Sequence, residues 1–356
     1  MTRKFINITV ATSISGQGGI STVLNGYQSG GFFQKSDVIV LESHRRSRIA
    51  GLYLTYFKCL LQLIWLHMFY DVGVVHIHMA SRGSYKRKAF IIRLVKLFNT
   101  KAILHLHGAE FQEFYTNECS PEKQNHIRST FDLADAVIVL STQWYSWMTT
   151  IVSDSTKVRV VYNAVETLDL NRNDVEKGRI LFLGRLGERK GVKDLIDAFA
   201  IVVKNHPNAR LTLGGDGAID TFKQQVERLG ISHNVDFLGW VAGEQKKLWL
   251  SKADVYCLPS YNEGFPMGVL EAMSANIPVV ASTAGGIPDA IQHGEEGLLV
   301  EAGEVEQLAS YLELLISDRE LNGKLAAAAK TKFINNFSKE AIFPELEAIY
   351  LELMSK

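Results

Sequence analysis

Three cysteines, seven prolines and no net charge mark what this 356-residue chain has little of. Cys59, Cys119 and Cys257 are odd in number and far apart, so they form neither a disulfide framework nor a zinc spacing, and a reducing cytosol is the expected compartment. No Asp-x-Asp pair occurs, which removes the usual carboxylate clamp for a divalent ion between phosphates. There is no short tandem repeat and no low-complexity tract, so solenoids and disordered arms are excluded. An uninterrupted apolar run of membrane-crossing length is also missing. The nearest, residues 51–70 (GLYLTYFKCLLQLIWLHMFY), is broken by Lys58, Gln62 and His67. A charge near the centre of a span is costly, so a buried or interfacial helix is expected there. The opening MTRKFINITVATSISGQGG alternates apolar with polar residues, as a first strand does, and lacks the compact apolar core of a leader.

What is present is an alternation. Apolar residues make up 47% and charged residues 21%, the proportions of a folded globular chain, and the length predicts two domains. Strand-like runs (KFINITVAT, SDVIVLES, DVGVVHIHMA, KAILHLHG, DAVIVLS, KVRVVYN) interleave with helical ones over the first half. The polar stretch 163–178 predicts a linker, and the alternation restarts at RILFLGRL, ARLTLGGDG, NVDFLGWV, DVYCLPS and IPVVAS. Strands separated by helices predict right-handed crossovers and parallel sheets. The expected architecture is α/β, with two doubly wound Rossmann-like domains, residues 1–165 and 166–340, and a C-terminal helix, 341–356, packing back on the first. Open sheets of this kind bind ligands at the C-terminal ends of their strands, so a central cleft between facing strand ends is the expected site. The zero net charge conceals an asymmetry: residues 1–165 carry 18 Lys and Arg against 10 Asp and Glu, and residues 166–356 carry 20 against 28. A basic first half predicts an anionic partner for that half.

Two stretches concentrate chemistry. GRLGERKG, residues 184–191, lies between a strand and a helix, which puts Arg185 and Lys190 on a loop at a strand's C-terminal end. A fork-shaped guanidinium, a point-charge ammonium and glycines that admit close approach suit a diphosphate. A solvated basic turn is the plain alternative. EGFPMGVLE, residues 263–271, sets Glu263 in a loop, lets a helix begin at Met267 or Gly268, and places Glu271 within its first turns. The N–H groups of Gly268 and Val269 would be free for an anion, and the two carboxylates suit hydroxyl groups of a sugar and a ribose. The plain alternative is a helix-dipole role for Glu271 and a solvated Glu263.

GRLGERKG followed by EGFPMGVLEAMSANIPVVAS, GGIPD and GEEGLLV resembles the retaining glycosyltransferases of family 4, of the kind that builds bacterial surface polysaccharides or exopolysaccharides. The likeness is strong through residues 178–302 and weaker before them. The resemblance implies the GT-B fold, an acceptor-binding N-terminal domain and a C-terminal domain for a UDP- or GDP-linked sugar, with no cofactor and no metal. It implies that Arg185 and Lys190 neutralise the donor diphosphate, that Glu263 contacts the transferred sugar and that Glu271 holds the ribose. The backbone of Phe265, Met267, Gly268 and Val269 would bind sugar and phosphate, and Gly239, Trp240 and Val241 would lie beside the base. In the first domain Gly18 and Gly19 of GQGGI would approach the donor phosphate and His107 of HLHGAEF would stand near the sugar. A nucleotide-sugar 2-epimerase of the same shape and a binding-only descendant remain as alternatives.

Other readings carry less. GQGGIS has Ser21 where a dinucleotide fingerprint needs its third glycine, which weakens a nicotinamide dehydrogenase. His76 and His78, like His105 and His107, share one face of a strand, but with no carboxylate or cysteine at ligand spacing, packing or substrate contact is expected over metal binding. The basic runs HRRSR (44–48) and SRGSYKRK (81–88), with the apolar helix at 51–70, predict contact with an anionic membrane leaflet on the cytoplasmic side, where a lipid-diphosphate-linked saccharide would meet the enzyme. No nucleic-acid motif accompanies them.

Overall fold

A computed structural model describes residues 3–16, 18–45 and 49–355 of the chain. They form two compact units, residues 1–164 with 339–356, and residues 165–338.

The first unit runs β1 (Phe5–Thr12), α1 (Gly19–Ser29), α2 (Phe32–Lys35), β2 (Val38–His44), α3 (Ile49–Phe69), β3 (Asp71–Met79), α4 (Gly83–Leu97), β4 (Lys101–Leu106), α5 (Phe111–Asn117), α6 (Pro121–Asp132), β5 (Ala136–Val139), α7 (Thr142–Met148) and β6 (Val158–Val160). Its sheet is six-stranded in the order β2-β1-β3-β4-β5-β6, and every pairing is parallel. Strands buried on both faces read as near-continuous apolar runs, as β4 and β5 do. The helices of residues 111–148 escaped the sequence reading because α5 and α7 are seven residues long with aromatic apolar positions, and α6 has few apolar residues to show a period. Their starts are local: Ser120 accepts from the Lys123 amide ahead of Pro121, and Ser141 from the Trp144 amide, both N-cap bonds.

The second unit runs β7 (Arg179–Leu183), α8 (Val192–Asn205), β8 (Arg210–Gly214), α9 (Ile219–Arg228), β9 (Val235–Gly239), α10 (Gly243–Lys252), β10 (Val255–Leu258), α11 (Met267–Ser274), β11 (Val279–Ser282), α12 (Ile287–Ala290), β12 (Gly297–Val300), α13 (Val305–Ser317) and α14 (Arg319–Asn336). Its parallel sheet has the order β12-β11-β10-β7-β8-β9. The order reverses between β7 and β10, so the switch point of the doubly wound sheet lies there. The strand at GLLV and helices α13 and α14 complete the unit beyond the elements the sequence reading named.

The chain then returns to the first unit as α15 (Lys339–Ser355). Phe343 of α15 packs on Tyr27 and Phe32, at ring separations of 5.7 and 5.4 Å. The Tyr350 hydroxyl shares a 2.9 Å hydrogen bond with His76 Nδ1. That bond opens a stack of four imidazoles in the sheet. His76 Nε2 lies 3.0 Å from His105 Nδ1 and His78 Nδ1 lies 2.8 Å from His107 Nε2, with neighbouring rings 4.0 to 5.2 Å apart. The ε-nitrogens of His78 and His105 have no partner among the described residues.

The basic run at 81–88, expected to meet an anionic leaflet, leaves few of its cations open to one. Arg82 is paired with Glu110 and Glu118. Lys88 is buried and donates to Ser43 Oγ at 2.6 Å. Burial, reinforced by Arg87, brings its pKa down to about 7. Only Lys86 and the paired Arg82 of that run's cations are exposed. Of the other run, residues 46–48 lie outside the described residues.

Burial holds the imidazoles neutral, with His76 and His107 lowered to about 3 and His78 and His105 also pushed well down. The unfolded rings take up protons near pH 6.5 that the folded rings refuse, so stability present above that pH is lost as the pH falls from 6.5 towards 3. Each uncoupled ring contributes a slope of about 1.4 kcal/mol per pH unit in that window. The urea midpoint is therefore expected to be lower at pH 5 than at pH 7, with a shallower decline in His78→Leu; equal midpoints at the two pH values would contradict the account.

Candidate functional site

The loops that follow β7 and β10 emerge side by side at the switch point of the second unit. The first of them is GRLGERKG and the second begins the EGFPMG stretch. Hydrogen bonds lace them together: the Tyr261 amide donates to the Arg189 carbonyl at 2.8 Å, and the Arg189 guanidinium donates to the Asn262 carbonyl at 2.8 Å. Tyr261 adds a 2.8 Å bond from its hydroxyl to Asp194 at the start of α8.

This lacing brings Lys190 and Glu263 into an ion pair. Glu263 is only 5% exposed, and the Ser260 hydroxyl donates to its Oε1 at 2.7 Å. A solvated Glu263 is thereby excluded. Arg185 stands exposed on the same loop as Lys190 and forms no ion pair among the described residues. The result is a buried carboxylate that fixes one cation, with a second cation open to solvent nearby in the chain. Buried charges are stable only when paired and hydrogen-bonded, which Glu263 is.

Glu271, the fifth residue of α11, is 7% exposed and pairs with Lys246 of α10. Between the two carboxylates stands Tyr256 of β10. Burial first, then the charges of Glu271 and Glu263, drive its pKa well up, so its hydroxyl stays protonated and donates to the Leu183 carbonyl at 3.2 Å. Gly268 sits directly over this phenol; a Cβ there would lie 2.1 Å from the hydroxyl oxygen. Glycine at 268 is thus a steric requirement of the tyrosine beneath it.

One expectation fails in detail. The Val269 amide is not free for an anion, because it donates to the Pro266 carbonyl at 3.2 Å in the tight first turn of α11. Of the expected pair only the Gly268 amide remains. Phe265 is buried and packs on Phe337 at 5.3 Å, so only its backbone can meet a ligand. At the end of β9, Gly239 takes φ +67°, Trp240 is exposed and Val241 is buried. Met267 begins α11.

Lys246, Ser260 and Tyr256 were not singled out from sequence. Lys246 and Lys247 are adjacent in a polar helix; the first reaches Glu271 and the second pairs on the surface with Glu244. Only tertiary placement separates them.

In the first unit, Gly18 caps α1 with φ +122° and Gly19 is its first residue. Gln17 of the same motif lies outside the described residues. His107 follows β4, its amide bonded to the Met79 carbonyl at 2.8 Å and its ring held in the imidazole stack. Nitrogens of His76, His78 and His105 lie within 4.8 Å of one another, but the rings lie 7 to 29° from parallel and two of the nitrogens bond to each other. Lone pairs arranged in that way do not converge on a tetrahedral ion.

Comparison with known proteins agrees with the second unit's layout. Residues 169–332 match the family model of Glycosyl transferases group 1. Over that stretch the chain is similar to the group 1 glycosyl transferases. Among curated relatives, N-acetyl-alpha-D-glucosaminyl L-malate synthase of Bacillus anthracis is 28% identical over 80% of this chain and 76% of its own length. The amylovoran biosynthesis glycosyltransferase AmsK of Erwinia amylovora is 26% identical over 78% and 69%. An uncharacterized glycosyltransferase of Methanocaldococcus jannaschii is 32% identical over 56% of each. Among solved structures, sucrose-phosphate synthase of Thermosynechococcus elongatus superposes with a TM-score of 0.81 at 19% identity, covering 99% of this chain and 100% of that one. HepE of Anabaena, solved in complex with UDP-glucose, gives 0.78 at 19% over 97% and 99%. The fold class of the chain is GT-B, and the switch-point site lies within the stretch that matches the family model.

Gly268→Ala is expected to lower stability by about 1–3 kcal/mol through overpacking against Tyr256. Tyr256→Phe in the same chain should restore part of the loss by removing the clashing oxygen. Thermal unfolding of the single and double variants checks this; a Gly268→Ala protein as stable as the wild type would refute the steric requirement.

Proposed function

We propose that the protein is a retaining glycosyltransferase of the family 4 kind. It would move a hexose-type sugar from a UDP- or GDP-linked donor to a saccharide acceptor carried on a lipid diphosphate, at the cytoplasmic face of the membrane, in surface polysaccharide biosynthesis. The observation that carries this reading is the meeting of Lys190 and Glu263 at the switch point, with Glu271 on the helix α11 that follows. The matched family and the polysaccharide-building relative support the transfer and its setting.

In the proposed reaction the bond between the anomeric carbon and the diphosphate oxygen breaks, and negative charge builds on the departing nucleoside diphosphate. Lys190 and Arg185 meet that charge where it develops, with the Gly268 amide at the start of α11 adding a partial positive charge. Glu263 accepts hydrogen bonds from the sugar hydroxyls and Glu271 from the ribose. The acceptor oxygen attacks on the face the diphosphate leaves, and its proton passes to a phosphate oxygen of the leaving group. The anomeric configuration is retained, and the step needs neither a protein base nor a metal, because fixed cations do the neutralising. Trp240 offers an exposed aromatic face at the end of β9 for the base, and His107, Gly18 and Gly19 are proposed to serve the sugar and phosphate from the first unit.

A thermal-shift screen over nucleotides and nucleotide sugars identifies the base and donor, since a ligand bound only by the folded state raises its melting temperature. With that donor and an oligosaccharide acceptor, Lys190→Ala is expected to cut kcat by about 10²-fold. Glu271→Ala is expected to raise the donor KM by about tenfold or more, the loss of a charged hydrogen bond. Wild-type rates in both variants would overturn the site. Conversion of the donor sugar with no acceptor present would make the protein an epimerase instead.

A further inference from the structure

Helix α3 is apolar on both sides. One side, with Cys59, Leu63 and Leu66, is sealed into the core of the first unit. The other carries Leu54, Phe57, Leu61, Trp65 and Met68, each at least half exposed. The spacing of these five, three or four residues apart, keeps them on a single stripe. Twenty-one residues make a helix about 31 Å long. On the neighbouring α4, Phe90 and Leu97 are likewise exposed, and the Tyr56 hydroxyl of α3 donates to the Arg87 carbonyl of α4. An apolar surface of this extent on a folded unit marks an interaction site.

We infer that this face of α3 and α4 seats the first unit on an anionic lipid leaflet, with α3 lying in the plane of the headgroups. Three observations select lipid. First, neither helix contains an Asp or Glu, while Lys58 and Lys86 are exposed beside the apolar residues and form no ion pair among the described residues. Cations flanking an apolar face match an anionic leaflet. A second copy docked two-fold on the stripe would bury Lys58 with no acid on either helix to meet it. Second, aromatic residues with polar tips stand at both ends of the stripe: Tyr53 at one, and Trp65 with Tyr70, 5.7 Å between rings, at the other. Such rings favour the headgroup level. Third, α3 is long and apolar enough to cross a bilayer but cannot do so in this fold. It joins β2 to β3 of one sheet, and its inner side is part of the core. Only a shallow, one-leaflet seating is open to it. The interrupting residues fit: Lys58 and Gln62 face outward, and His67 turns back, its Nδ1 donating to the Leu63 carbonyl at 2.8 Å and its ring stacking on Phe98 at 4.4 Å. The contact deepens the proposed function and rests on it for its purpose, since a lipid-linked acceptor must be met at the membrane.

The test is co-sedimentation of the full chain with vesicles of phosphatidylcholine alone and of phosphatidylcholine mixed with phosphatidylglycerol. The wild type is expected to pellet with the mixed vesicles. Phe57→Gln, Leu61→Gln and Trp65→Gln together should weaken that partition by about tenfold or more, the effect of removing several buried apolar side chains. Lys58→Gln with Lys86→Gln should abolish only the preference for the anionic mixture. Wild type that stays in solution with both vesicles, or a triple variant that pellets equally, overturns the inference. So does a wild-type dimer, by light scattering, that the triple variant converts to a monomer, for the face then meets a second copy. Nucleotide stabilisation and transfer to a water-soluble acceptor are measured on the same variants. They are expected unchanged, and their failure in the wild type would refute the proposed function while leaving the lipid contact standing.

Discussion

A single cross-linked junction governs the second unit: the loop after β7 bound to the loop after β10 at the point where strand order reverses. Strand order alone guarantees that two loops part there, one towards each face of the sheet. What turns the opening into a site is that the loops are tied to each other, by Tyr261 to Arg189 and by Arg189 to Asn262. Without those ties Lys190 and Glu263, 73 residues apart, would have no reason to meet. Their pairing fixes the Lys190 ammonium at the switch point, on the same loop as the exposed Arg185.

The buried acids have a second effect. Glu263 and Glu271 each hold a lysine, one from the loop before α8 and one from α10. A side chain as long as lysine carries much rotamer entropy, and a buried carboxylate restrains it before any ligand arrives. Tyr256 between the two acids remains a phenol and supports the floor on which Gly268 rests. The site is thus preorganised before a ligand arrives, and Tyr256 contributes to that without touching a substrate.

Much of this was legible in the sequence, and what was not has identifiable causes. The alternation of strands and helices is a local signal, so a helix was expected directly after GRLGERKG, where α8 lies. The order of motifs placed Arg185, Lys190, Glu263 and Glu271 on loops and helix starts. Long-range pairing has no local signature. Nothing in SRGSYKRK says that Lys88 turns inward to Ser43 or that Arg82 is claimed by Glu110 and Glu118. Nothing in EQKKLWL distinguishes Lys246 from Lys247. Helices α5 and α7 are short and rich in aromatic residues, which pack well without strict periodicity, and α6 is mostly polar. The tight turn that occupies the Val269 amide depends on the carbonyl of Pro266, a backbone detail that residue types do not specify.

The return of α15 to the first unit bears on how the polypeptide matures. Tyr27, Phe32 and the His76 ring are covered by Phe343 and Tyr350, residues that leave the ribosome after the whole second unit. The second unit's contiguous sequence is complete before them, so during synthesis the N-terminal sheet waits with one flank bare while the later-made domain can already close. Loss of α15 would therefore injure the domain that was made first, and chaperone capture of the nascent chain would be directed at that waiting aromatic flank.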